Sequence, residues 1–268
     1  MPPDLCAVVT RRGKPTGHVR VAQAHLRVAT VGSAHSSQPS RGCLGALTCR
    51  QLTWIIRPNR RPVGGIVPHP RLEPPYDLSP LRTVLIGIDF QQAFGEGAWE
   101  HVPGASAAID NFRVAARAWR SAGGRVVMIR EAYTPDDFPA AIRDEIVLVH
   151  PLMLGSANCE FHPDLLVDGD LSIVKKGFSA FAASELPALL DDRGWDTVVI
   201  GGLTTPICVT TTADGLSMAG TKVVILSDAC ASQPFDGVPG ELAHNVALAR
   251  FRYQFGQTLT TEEFLTRL

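Results

Sequence analysis

Cys208 stands where the apolar run VVIGGL (198–203) gives way to TTPICVTTTADG, which reads as the start of a helix. Thr205 has the hydroxyl of an N-cap, and Pro206 fits the first helical position, where its missing N–H is no loss. Cys208 is thus expected in the first turn, where orphan amides and the positive end of the helix dipole favour a thiolate. Two other groups could make a nucleophile of it: Asp89 closes the apolar run TVLIGI, and the pair Lys175 and Lys176 closes LSIV. A carboxylate alone deprotonates a thiol poorly, since ordinary pKa values near 3.9 and 8.5 leave the transfer uphill by about 6 kcal/mol. Burial that raises the carboxyl, with an ammonium and a helix terminus stabilising the sulfur anion, would narrow that gap. Singly, each residue has a plainer use, as a turn cap, a solvated strand end or a small buried hydrophobe. Only their arrival at one place argues for nucleophilic catalysis.

The elements needed to bring them together are legible. From residue 83 the chain alternates β-branched runs with helical ones. Runs at 83–90, 125–130, 171–176, 197–202 and 222–228 read as strands buried on both faces, with a short sixth near 257–259. Between them, Ile109, Phe112, Ala116 and Trp119 form one helical stripe, SELPALLDDRG runs from Ser184 to Gly194, and Thr260 with Glu263 makes a capping box. The order predicts a three-layer α/β/α sandwich around a parallel sheet of five or six strands. Sites in such sheets form beyond the carboxyl ends of the strands, where Asp89, the lysine pair and Cys208 all fall. No G-x-G-x-x-G follows the first strand, which counts against the rival reading, a nucleotide-binding α/β module.

Charge divides the chain. Residues 1–80 carry eleven Lys or Arg and three acids, a net +8, and the remaining residues carry fourteen and twenty-three, a net −9. The first part is rich in Pro, Gly and Ser and lacks periodicity, so 1–80 is expected to be a disordered extension and 81–268 the folded domain. The extension is open to three readings: a targeting segment, a functional arm, or upstream residues from a misplaced start. No apolar run reaches the roughly 20 residues of a membrane span. Six scattered cysteines without a C-x-x-C pair suit a reducing cytoplasm, and no Cys or His cluster has zinc spacing.

IDFQQAF (88–94), KKGFSAF (175–181) and GGLTTPICVTTTADGLSMAG (201–220), followed by VVILSDACAS, resemble the isochorismatase-like cysteine hydrolases, among them nicotinamidases and N-carbamoylsarcosine and ureidoacrylate amidohydrolases. The likeness covers residues 83–268. It implies a Rossmann-like hydrolase fold with Asp89 as general base, Lys175 as its charged companion and Cys208 as nucleophile. Lys175 is chosen over Lys176 because the family's lysine stands four residues before the Ser of S-A-F, here Ser179. It further implies a cis peptide at Leu203–Thr204 and an oxyanion hole made of the backbone N–H groups of Thr204 and Cys208.

Two departures narrow the activity. The loop REAYTPDDF lacks the Asp-x-His metal site of nicotinamidases, which argues against nicotinamide as substrate and leaves no metal expected. Pro206 replaces the usual Asn or Asp of the nucleophile turn. Members that cleave the isochorismate vinyl ether lack the cysteine, so the cysteine implies hydrolysis of a small amide, carbamoyl or ureido compound. The alternative within the family is a catalytically silent relative acting as an interaction protein. Phe94, Trp99, Glu131, Tyr133 and Phe181 are the expected pocket residues. No cofactor, nucleic acid or membrane is expected as a partner, and the resemblance implies a homodimer or homotetramer.

Overall fold

The computed structural model describes residues 74–143 and 150–268, so the extension expected over 1–80 lies outside the described residues up to position 73. Its last residues are part of the packed domain. Tyr76 and Leu78 are buried in the core, and Tyr76 N–H donates to Gln257 Oε1 (3.2 Å). Tyr76 and Leu78, which precede the expected boundary at 80–81, are therefore packed with the domain. No helix among the described residues is long and apolar enough to cross a membrane.

Six parallel strands form the sheet: β1 (Thr83–Ile88), β4 (Arg125–Glu131), β5 (Leu171–Lys175), β6 (Thr197–Leu203), β7 (Lys222–Ala231) and β8 (Gln257–Leu259). Their spatial order is β5-β4-β1-β6-β7-β8. A separate two-residue ribbon pairs β2 (Phe94–Gly95) with β3 (Glu100–His101). The helices are α1 (Ala105–Ser121), α2 (Leu186–Arg193), α3 (Thr210–Met218), α4 (Gly240–Gln254) and α5 (Thr261–Leu265).

Strand alternation sorts the core into two layers. Leu85, Val126, Met128, Val199 and Val224 face α1 and α5, burying Ile109, Phe112, Ala116, Trp119 and Phe264. Val84, Ile86, Ile129, Ile200 and Ile225 face α2, α3 and α4, burying Leu190, Leu216 and Phe251. Each such side chain withdrawn from water contributes about 1.5–3 kcal/mol, so both faces must be covered. The local signals hold as well: Gly194 ends α2 at φ 69°, and Thr260 and Glu263 close their reciprocal cap on α5. Ser184 lies one residue outside the cap position of α2, its hydroxyl accepting from Leu186 N–H (3.1 Å). β7 runs three residues past its expected end at 228, where a register irregularity brings Gly202 opposite Cys230.

The chain leaves β1 for β4 and β5 on one side, then returns to β6 on the other. The carboxyl ends of β1 and β6 thus flank the topological switch point, where a crevice opens. Close approach there depends on glycine: a Cβ on Gly202 would stand 2.6 Å from the carbonyl oxygen of Ile88 and 2.8 Å from its Cβ. We expect Gly202→Ala to cost about 1–3 kcal/mol, since β1 and β6 would have to part. Gly95→Ala, whose new Cβ would meet only ordinary contacts at 3.8 Å, should change stability by about 0.5 kcal/mol or less. Urea unfolding midpoints compare the two, and equal shifts would mean that the strands at the crevice are not tightly apposed.

Candidate active site

Asp89 follows β1 directly. Its φ of 52° lies in the left-handed region, which short polar side chains tolerate better than most, and the turn ends the strand. The side chain is wholly buried. Its Oδ1 accepts from Glu131 N–H at the end of β4 (3.0 Å), and its Oδ2 forms an ion pair with Lys175 Nζ (2.9 Å).

Lys175 ends β5 and is itself wholly buried. Its ammonium donates to Glu131 Oε2 (2.9 Å), to the Gly177 carbonyl (2.7 Å) and to Cys208 Sγ (3.7 Å). Burial opposes the charged form, but Asp89, Cys208 and Glu131 outweigh it and hold the ammonium above its ordinary pKa. Lys176 points the other way. It is part-exposed and pairs with Asp137 (2.5 Å), whose carboxyl it holds down to about 2 with help from Thr134. β5 ends at Lys175, and the bend that follows sends Lys176 the other way. One acceptor atom each from Asp89, Glu131 and Cys208 lies within 4.8 Å of the others, a grouping that could hold a metal ion. Lys175 Nζ already stands among them, so a metal would have to displace an ammonium.

Cys208 lies in a π-helical turn (Thr205–Val209) leading into α3. Thr204, not Thr205, occupies the cap position and makes no side-chain cap bond. Thr205 Oγ1 instead donates to the Ala231 carbonyl (3.1 Å) and lies 2.8 Å from His244 Nδ1. The peptide before the turn, Leu203–Thr204, is cis. Burial first, then the charge of Asp89, push the Cys208 thiol well above its ordinary value, with Lys175 pulling the other way. Asp89 is pushed up to about 6, burial outweighing Lys175. Cys159 and Cys230 are also free buried thiols raised by burial, Cys230 to about 12.

Cys208 and Thr204 line a cavity of about 320 Å³. Of the expected pocket residues, Phe94, Trp99 and Glu131 line it too. Tyr133 does not. It stands behind Glu131, its hydroxyl donating to Oε1 (2.6 Å) and accepting from Gly177 N–H (3.0 Å). Phe181 does not either, because its ring packs on α3 where Gly215 leaves room. Phe178 takes the expected place of Phe181, three residues nearer the Gly177 turn. Among the described residues Glu100, His150, Pro151, Leu152, Ile207 and Gln233 complete the wall and were not singled out from sequence. Glu100 was within reach of that reading, since it follows Trp99 directly, but its pairing with Phe94 across the β2–β3 ribbon has no sequence signal. Gln91 was missed as well. Buried beneath the site, it accepts from Glu131 N–H (2.9 Å) and donates to the Glu131 and Cys159 carbonyls (2.9 and 3.0 Å), fixing the end of β4.

Residues 83–263 match the isochorismatase domain. An isochorismatase family protein of Bacillus subtilis (strain 168), YrdC, is 30% identical over 189 residues, 69% of this chain and 95% of its own. Maleamate amidohydrolase of Pseudomonas putida is 26% identical over 70% of this chain and 87% of its own. Among solved structures, a cysteine hydrolase from Pseudomonas syringae pv. phaseolicola superimposes with a TM-score of 0.65 at 26% identity, covering 73% of this chain and 97% of that one. The six-stranded sheet, the turn that carries Cys208 and these matches together make this chain a member of the isochorismatase family of hydrolases.

Proposed function

We propose that the protein is a cysteine amidohydrolase that cleaves the C–N bond of a small amide, carbamoyl or ureido compound through a thioester on Cys208. The observation that carries this reading is the single ammonium of Lys175, 2.9 Å from Asp89 and 3.7 Å from Cys208 Sγ, behind a thiol that lines a cavity. The amide specificity of the Pseudomonas putida relative supports it, as does the domain match.

In this mechanism Sγ attacks the carbonyl carbon while its proton passes to Asp89. The carbonyl oxygen becomes an oxyanion held by the backbone N–H groups of Thr204 and Cys208. The C–N bond then breaks, Asp89 returns the proton to the departing nitrogen, and ammonia or an amine leaves a thioester on Cys208. Water attacks the thioester and gives a proton to Asp89. The C–S bond breaks, the acid departs, and the proton returns to sulfur. Because the thiol is held high, proton transfer accompanies C–S bond formation and no free thiolate accumulates. Lys175 stays charged throughout and offsets the negative charge that moves between carboxylate, sulfur and oxygen. The reaction needs a reduced Cys208, which suits the cytoplasm.

Ammonia release from a panel of small amides, carbamoyl and ureido compounds tests this reading. Wild type should turn over at least one class and show the acyl adduct on the Cys208 peptide by mass spectrometry. Cys208→Ala should lose activity by about 10⁴-fold or more. Activity retained in Cys208→Ala would refute the mechanism. The pH dependence carries a sign: Asp89 works as the carboxylate, so kcat/KM should rise with pH through about 6 and then level off. A rate that falls as pH rises through this region would require Asp89 to act as an acid first.

A further inference from the structure

The cavity is one-sided in charge. Among its described lining residues are two carboxylates, Glu100 and Glu131, and no Lys or Arg. The Nδ1 of His150 accepts from Leu152 N–H (3.2 Å). Lys175 is wholly buried, and its N–H groups are already directed to Glu131, Gly177 and Cys208. Residues 144–149, outside the described set, read DEIVLV and contain no base.

The two carboxylates differ in what they have left to offer. Glu131 already receives Lys175 on Oε2 and Tyr133 on Oε1. Glu100 is raised above its ordinary value by burial. The side chain of Gln233 lowers it and the like charge of Glu131 raises it. Glu100 and the already occupied Glu131 thus line the cavity, and among the described residues no Lys or Arg forms an ion pair with Glu100. Around them stand Phe94, which pairs with Glu100 in register, and the rings of Trp99 and Phe178. Acceptors beside aromatic faces are the complement of an ammonium group. A carboxylate arriving there would meet like charge and no cation to receive it.

We infer that the substrate is a small amide carrying an ammonium group remote from the scissile carbonyl, bound by Glu100, and that amides with a carboxylate in that place are rejected. This rests on the amide-hydrolase reading and assigns Glu100 as the specificity-determining residue. The volume of about 320 Å³ puts the ligand at the small end of the range for such sites.

Three amides of one chain length make the test: 4-aminobutanamide, butanamide and succinamate, each assayed for ammonia release at pH 7.5. The expected order of kcat/KM is cation, neutral, anion, with about 100-fold or more between the extremes. Glu100→Gln should shrink the cation-to-anion ratio by about 10- to 100-fold. An equal loss on all three, or succinamate turned over as well as 4-aminobutanamide, overturns the proposal even if hydrolysis itself is confirmed. Binding to Cys208→Ala, read by thermal shift with the same three compounds, separates the two claims. Selective binding of the cation without turnover in wild type supports the charge selection and counts against the hydrolase reading. If 4-aminobutanamide binds no better than succinamate, the charge selection is wrong.

Discussion

A fully buried ammonium is the constraint on which the rest of the site depends. Lys175 is enclosed on all sides, and an isolated charge in such a place would lose its proton or unfold its surroundings. It keeps the proton because three strand ends bring it acceptors: Asp89 after β1, Glu131 at the end of β4, and the thiol of Cys208 after β6. Those acceptors are in turn fixed by backbone. Asp89 and Gln91 both accept from Glu131 N–H, which ties the segment after β1 to the end of β4. The glycines at the crevice serve the same end, letting β1 and β6 lie close enough for their termini to share one cation.

The same enclosure determines how the sulfur is activated in the proposed reaction. Burial and Asp89 push the thiol above its ordinary value, while burial lifts Asp89 to about 6. A resting thiolate would add a negative charge beside Asp89 and Glu131 with one ammonium among the three. Keeping the proton on sulfur avoids that, and the negative charge moves outward to the oxyanion only when a carbonyl is present to receive it. Electrostatic stabilisation arranged for the transition state rather than the ground state is what raises kcat.

Much of this was legible in the sequence, for physical reasons. Strands buried on both faces leave unbroken β-branched runs, so five strands and their carboxyl ends could be placed. Period-two alternation was the ground for expecting Lys175 and Lys176 to part; they do, although β5 ends at Lys175 and a bend carries Lys176 away, and motif spacing indicated which would turn inward. Other features had no local signature. The π-helical turn moved the cap from Thr205 to Thr204, because Thr205 is engaged by Ala231 and His244 from β7 and α4, distant in sequence. The thiol's raised pKa depends on burial by the whole fold, which outweighs the helix terminus that the local sequence suggested. Tyr133 and Phe181 were expected in the pocket as aromatics near strand ends, yet one supports Glu131 and the other fills the space left by Gly215. Glu100 reaches the cavity from the two-residue strand β3 and Gln233 from the segment after β7, and no periodicity encodes either.

The central claim, that the buried ammonium of Lys175 sustains catalysis while its neighbour does not, is tested by assaying Lys175→Ala and Lys176→Ala side by side. Circular dichroism and a urea titration confirm folding. Lys175→Ala should lose about 10²-fold or more in kcat. Lys176→Ala, which gives up a part-exposed pair with Asp137, should keep its kcat and lose about 0.5 kcal/mol of stability or less. Equal losses of kcat in two folded variants, or the larger loss at Lys176, would contradict the account.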